Sequence, residues 1–247
     1  MNTSAPRKSV NILGIIPARG GSKSIPRKNL APVLGKPLVS YSIRSAQQSK
    51  LLDAFLVSTD DAEIAEVARS CGADVPFLRP KEFSRDDSLD IEFLRHALDW
   101  LEAERGWKPE IVVNLRPTGP LRTGEDIDRV IQLMLDTGCD SARTVSIPAH
   151  NPFKMWRVDA ASARMDPLIP TEHFAVLGTD VPRQLLPQNV YWQNGLVDAT
   201  RAKFIREGRI YGPDIRGVVI DPRKAVDIDD LEDLDFAARR LEEFGLA

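Results

Sequence analysis

Residues 15–29 read IIPARGGSKSIPRKN and gather Arg19, Lys23, Arg27 and Lys28 around two adjacent glycines. Such a loop is either a solvated basic turn or a cradle for an anion. Gly20 and Gly21 let backbone N–H groups approach an anion closely, and the fixed charges around them attract it. Neither GxxxxGK[ST] nor GxGxxG is spelled there, so two familiar phosphate loops are excluded. A triphosphate is the guest that best matches this much local charge. A second candidate is Asp227-Ile228-Asp229. Alternation along an extended segment places both carboxylates on one face, where they can share a hard cation. The competing reading is a cap for a helix beginning near Asp230. Beside a polyphosphate loop the cation reading gains weight, because Mg²⁺ is usually held by one or two carboxylates together with substrate phosphates.

Two further stretches carry polar groups in rigid surroundings. Residues 115–122, LRPTGPLR, follow an apolar run and contain two prolines and a glycine, a backbone-exposing turn suited to a base edge or a ribose. The alternative is a plain connection from strand to helix. Residues 182–195, PRQLLPQNVYWQNG, set Arg183 and Asn194 in an otherwise apolar segment.

The elements that must position these groups alternate. Residues 11–16 (NILGII) form a short apolar run that predicts a buried strand. Pro37 opens a helix over 38–48. Residues 54–58 predict a second strand, and Thr59-Asp60-Asp61 starts a helix over 62–71 that Gly72 stops. A brief strand is expected at 75–78, and the spacing of Ile91, Leu94, Ala97, Leu98 and Leu101 predicts a helix over 87–104. Strand 111–115, helix 124–135 and strand 141–147 continue the pattern. This alternation predicts a parallel, doubly wound sheet, with ligands beyond the carboxyl ends of its strands. The pattern breaks over 150–193, which is rich in proline and aromatics, including Phe153, Trp156, Phe174, Tyr191 and Trp192. That stretch reads as an insertion, a flap or a subunit contact. Strands at 196–198 and 218–220 and a helix over 231–244 close the chain.

With 247 residues and 43% hydrophobic content, the chain can build a full core. A net charge of −3 argues against a nucleic-acid or membrane surface, so positive charge is local. Cys71 and Cys139 lie far apart, and the three histidines form no ligand cluster. No segment has the composition of a signal peptide or a membrane span, and a cytoplasmic protein is the expectation.

In this order, the basic loop, VSTDD at 57–61, RPTGPLR, NPFKMW at 151–156, PRQLLP followed by NG, and DIDDLED resemble the acylneuraminate cytidylyltransferase family. The resemblance runs from about residue 12 to 237, with departures at Arg116, Gly119 and residues 191–193. It implies a Rossmann-like, doubly wound, mostly parallel sheet of the nucleotide-diphospho-sugar transferase type. It divides the chain into a flexible tail at 1–10 and a nucleotidyltransferase domain at 11–247, with a dimerisation or flap insertion at 150–193. Ala18, Arg19, Gly20, Ser22, Lys28 and Asn29 are implied to bind the nucleotide, with Arg116, Pro117 and Thr118 along base and ribose. Lys154, Arg183 and Asn194 would face the sugar acid or the phosphates, Gln184 would join them in binding substrate, and Asp227 with Asp229 would hold Mg²⁺. Arg19, Lys28 and Asp229 would carry the catalysis.

The implied reaction transfers CMP from CTP to the anomeric hydroxyl of a nonulosonic, sialic-type sugar acid, releasing pyrophosphate in a homodimer. Rival readings keep a different nucleotide such as GTP, which Arg116 could address through guanine O6 and N7. Others keep a sugar phosphate or ketodeoxy acid as acceptor, a metal-dependent glycosyltransferase, or a nucleotide-binding regulatory module.

Overall fold

A computed structural model describes residues 11–169 and 182–247. The expected tail at 1–10 and Phe174 lie outside the described residues. Strand β1 (Ile12–Pro17) alternates its side chains between two cores. Ile12 and Ile16 point to one face, and Leu13 and Ile15 to the other. After the basic loop come a small hairpin, β2 (Pro32–Val33) with β3 (Lys36–Pro37), and helix α1 (Leu38–Gln48), for which Pro37 is the N-cap rather than the first helical residue. Strand β4 (Ala54–Ser58) leads into helix α2 (Ala62–Ser70), where the Asp61 carboxylate accepts from the backbone N–H groups of Glu63 and Ile64. Helix α3 (Asp90–Arg105) follows, then strand β5 (Ile111–Asn114), helix α4 (Gly124–Thr137) and strand β6 (Ser141–Ser146). Helix α3 begins three residues later than its periodicity predicts, because Glu92 reaches back to accept from the Leu89 N–H and fixes the start there.

Within the irregular stretch, strands β7 (Trp156–Val158) and β8 (Met165–Pro167) pair as an antiparallel hairpin. Strand β9 (Trp192–Arg201), helix α5 (Ala202–Arg206), strand β10 (Ile215–Val219) and helix α6 (Leu231–Glu243) complete the described elements. The main sheet has the order β10-β6-β9-β5-β1-β4. It is mostly parallel, as expected, but β9 runs antiparallel between β5 and β6. Two expectations are corrected here. The strand at 196–198 is ten residues long, because its start at Trp192 pairs with β6 beyond a bulge. The strand at 75–78 is reduced to isolated bridges, Leu56 to Asp74 and Thr59 to Leu78.

Helices α1, α2 and α4 pack on one face of the sheet, and α3 with α5 on the other, giving three layers. A third apolar cluster joins Ile25 and Val33 near the basic loop to Val226 and Ile228 of the acidic segment and to Ala237 and Leu241 of α6. It ties two motifs about 200 residues apart in sequence into one body. No helix among the described residues is long and apolar enough to cross a membrane.

Candidate active site

Register aligns the ends of three neighbouring strands: Pro17 pairs with Ser58, and Ile15 with Asn114. The loops that leave this carboxyl edge enclose a cavity of about 290 Å³. Arg19, Ser22, Lys28 and Asn29 line one side of it, and Arg116, Pro117 and Thr118 another. Seven residues expected at a nucleotide therefore meet in one place. Ala18 is buried beneath, where its N–H bonds the Ser58 carbonyl. Gly20 donates from its N–H to Asp60 Oδ1, and a Cβ there would fall 2.8 Å from an Asp61 carboxylate oxygen, so only glycine fits without displacement.

The basic loop is pinned at several points. Asn29 is buried and donates its amide to the Arg19 carbonyl at 2.9 Å. Arg19 bonds Asp86 Oδ1 at 2.9 Å, and Lys23 reaches the other oxygen of the same carboxylate at 2.6 Å. The bond from Lys23, with the charges of Lys23 and Arg19, holds the Asp86 carboxyl below its ordinary pKa. Lys28, whose side chain is only 11% exposed, donates to the Ile228 carbonyl at 2.7 Å and lies 3.7 Å from Asp229 Oδ1. The loop and the acidic segment thus meet through one ammonium group. The Ile228 N–H in turn bonds the Thr118 carbonyl at 3.0 Å, bringing the LRPTGPLR turn to the same junction.

The acidic segment has the alternation expected of it, with Val226 and Ile228 buried and Asp227 and Asp229 exposed. Neither carboxylate caps the final helix. Asp230 is the N-cap and accepts from the Asp233 N–H, and Asp233 returns the bond. Among the described residues the Asp227 side chain has no hydrogen bond or ion pair, and it borders a second cavity of about 160 Å³ with Arg116, Thr118 and Asn194. Two hard oxygen donors on one accessible face beside an anion cavity fit a cation that takes its remaining ligands from phosphate and water. Among the described residues no cluster of three or more His, Cys, Asp or Glu could hold a metal.

Arg116 and Asn194 already have partners within the chain. Arg116 Nη1 donates to Asp198 Oδ2 at 2.7 Å, and Nη2 donates to Asp90. Burial works against its charge, yet the Asp90 and Asp198 carboxylates hold its pKa above the ordinary arginine value. Asn194 is buried and spends its side chain on Thr144 and Ser146, at 2.6 and 2.9 Å. Arg122 is wholly buried. It ties Ser45, the Arg116 carbonyl and the Leu196 carbonyl together, and burial lowers its pKa to about 9. It shapes the turn and does not line the cavity. Lys154 is exposed and borders a separate cavity of about 430 Å³ with His150, Asn151 and Leu186. Gln184 is exposed in a short 3-10 turn, and the side chain of Arg183 lies outside the described residues.

Sequence reasoning missed Arg79, Ser88 and Asp86, which line the main cavity. Arg79 is 5% exposed and donates to the Ser58 hydroxyl and carbonyl. Burial lowers its pKa to about 10, so it stays charged at neutral pH. No carboxylate lies within ion-pair distance among the described residues; Nη1 also donates to the Phe83 carbonyl at 3.4 Å, and the guanidinium lies over the Phe93 ring at the cavity wall. Its one sequence signal is a cation directly before a proline, just past a strand-like segment at the same sheet edge.

Residues 13–165 match the family described as Cytidylyltransferase. The chain is 29% identical over 228 residues to the pseudaminic acid cytidylyltransferase of Campylobacter jejuni, covering 91% of this chain and 94% of that protein. It is 31% identical over 208 residues to the CMP-N,N'-diacetyllegionaminic acid synthase of Legionella pneumophila, covering 82% and 83%. It is 30% identical to N-acylneuraminate cytidylyltransferase A of Danio rerio, covering 99% of this chain and 54% of that protein. In fold it is similar to a solved CMP:2-keto-3-deoxy-manno-octonic acid synthetase complexed with CTP, at a TM-score of 0.64 and 17% identity, covering 95% of this chain and 99% of that one.

Proposed function

The chain belongs to the cytidylyltransferase family, and on that premise we propose that it transfers CMP from CTP to the anomeric hydroxyl of a nonulosonic acid. The observation that carries this reading is the junction at Lys28. One side chain bonds the acidic segment while lining the cavity shared by the basic loop and the LRPTGPLR turn. Triphosphate, nucleoside and acceptor ends would then lie in sequence around one group. Relatives named for pseudaminic, legionaminic and acylneuraminic acids support a nine-carbon sugar acid as acceptor.

In the proposed reaction the acceptor hydroxyl oxygen bonds to the α-phosphorus as the bond from that phosphorus to the β-bridging oxygen breaks. Pyrophosphate leaves, and the hydroxyl proton passes to solvent. Arg19, Lys28 and the backbone N–H of Gly21 would hold the triphosphate and offset charge growing on its oxygens, while the Gly20 N–H stays on Asp60 and fixes the turn. Arg79 and Ser88 bound the far wall, where a base or ribose would be held. Asp227 and Asp229 would hold Mg²⁺, which when bound neutralises phosphate charge. We place the contact between two copies of the chain on the β7–β8 hairpin, where Trp156, Val158 and Met165 are exposed.

The guanine reading is not favoured, because both terminal nitrogens of Arg116 already bond carboxylates. Incubating the protein with Mg²⁺, each of the four nucleoside triphosphates and a panel of nonulosonic acids, sugar phosphates and ketodeoxy acids tests the proposal. Pyrophosphate is expected with CTP and a nonulosonic acid. Release with another nucleotide alone, or only with a sugar phosphate, would overturn it.

A further inference from the structure

Arg116 and Thr118 line both the nucleotide cavity and the neighbouring one bounded by Trp192, Gln193 and Gly195, and Arg116 is the charged member of the shared wall. Its two partners come from different layers. Asp90 is the first residue of α3, and Asp198 lies in the middle of β9. Asn114, Asp198 and Arg143 occupy one row across β5, β9 and β6. Asn114 donates to Asp90 at 3.1 Å, and Arg143 approaches Asp198 at 3.7 Å. Arg143 also donates to the Gln193 side chain, whose amide reaches Asp198 at 3.4 Å. The result is a closed set of two cations and two carboxylates, net neutral, that fixes the start of β9 against α3.

We infer that the acceptor sits in the neighbouring cavity, beside Asp227 and Asn194, and that Arg116 is a positioning residue that braces the wall between the two cavities through Asp90 and Asp198 and does not read the base. This rests on the cytidylyltransferase reading above. A neutral base carbonyl would have to compete with two carboxylates already in place, which is an unequal contest. The acceptor side depends on the brace more directly. Gln193 is bonded into the set, and the Cβ position of Gly195 lies 3.7 Å from Arg116 Nη1. The triphosphate end, at Ser22 and Lys28, makes no bond to it among the described residues.

The test uses Arg116→Lys, Arg116→Gln and Arg116→Gln/Asp198→Asn in the full chain. Lysine keeps the charge but cannot span two carboxylates in a fixed fork. Loss of the brace displaces the acceptor wall, so the acceptor KM should rise by about 10- to 100-fold in all three variants, a loss typical of small misplacements. The CTP KM should change by less than about threefold, as expected where a contact to that substrate is not removed. The preference for CTP over GTP should equal that of the unsubstituted protein. Melting temperature should drop most in Arg116→Gln, which leaves buried Asp198 with Arg143 as its one nearby cation among the described residues, and should recover in the double variant. Recovered stability without recovered acceptor KM separates positioning from simple loss of folding. A collapse of the CTP-to-GTP ratio, or equal KM changes for both substrates, would overturn the inference. Failure of the unsubstituted protein to use CTP would instead overturn the reading on which it rests.

Discussion

At the carboxyl edge of β1, β4 and β5, polar side chains are held from beneath by the sheet and from the sides by one another. Lys28, Asn29 and Arg79 are largely buried, and each donates to a backbone carbonyl. On the β7–β8 hairpin the situation is reversed: Trp156, Val158 and Met165 are exposed and apolar, and nothing described in the chain covers them. One region is finished within a single chain, with its charges preset for a polyanion. The other leaves uncovered the surface that soluble proteins usually bury in a contact. Substitutions in the first should therefore change chemistry with little change in assembly, and substitutions in the second should change assembly first.

The largest expected effect is from Lys28→Ala. Removing one preorganised charge typically costs ~10²–10³ in rate. The lost bond to the Ile228 carbonyl should cost only about 1 kcal/mol of stability. Steady-state turnover and a melting curve on the same sample separate the two, and near-normal turnover would remove this loop from the site.

Next are Asp227→Asn and Asp229→Asn. Each should raise the Mg²⁺ concentration needed for half-maximal turnover by about 10- to 100-fold, in line with losses of metal-site groups. Helix α6 should persist in circular dichroism, because Asp230 and Asp233 supply its cap. An unchanged Mg²⁺ requirement in both variants would leave the pair with no cation role.

On the other region, the unsubstituted chain should sediment at about twice its 27.5 kDa mass at micromolar concentration. Val158→Asp should shift it toward the monomer while the folded spectrum is kept, since a charge is costly at an apolar contact. A monomer in both cases would make the hairpin a lid over its own chain.

The smallest effect is expected from Asp86→Asn, which frees Arg19 and Lys23 from a solvent-screened ion pair. The depressed carboxyl makes its contribution above the ordinary carboxylate pKa of about 4, and loses it as pH falls through the lower, folded value. Between pH 8 and 6 the CTP KM should therefore show no slope from this group, and a slope that vanishes in Asp86→Asn would show that it titrates there.

Much of the first region was legible in the sequence because local chemistry decides it. Asp61 caps α2, where its residue type predicts. The basic loop, the RPT turn and the DID alternation all meet at one sheet edge because parallel strands deliver their loops to the same end. What escaped depends on distant partners. Arg79 and Asp86 sit in an irregular segment without periodicity, and only the fold carries them to the cavity. The antiparallel direction of β9 is set by how the chain returns after residue 182, and Gly195, at φ 69°, interrupts the pattern that would have marked the whole strand. The ion pairs of Arg116 were hidden for the same reason, since Asp90 and Asp198 lie 26 and 82 residues away.

The most direct measurement is ³¹P NMR of the protein with CTP, Mg²⁺ and a nonulosonic acid. The account predicts loss of the three CTP resonances, with one phosphodiester and one equivalent of pyrophosphate appearing together. Free CMP without a diester, or an unchanged CTP spectrum with every nonulosonic acid tried, would contradict it.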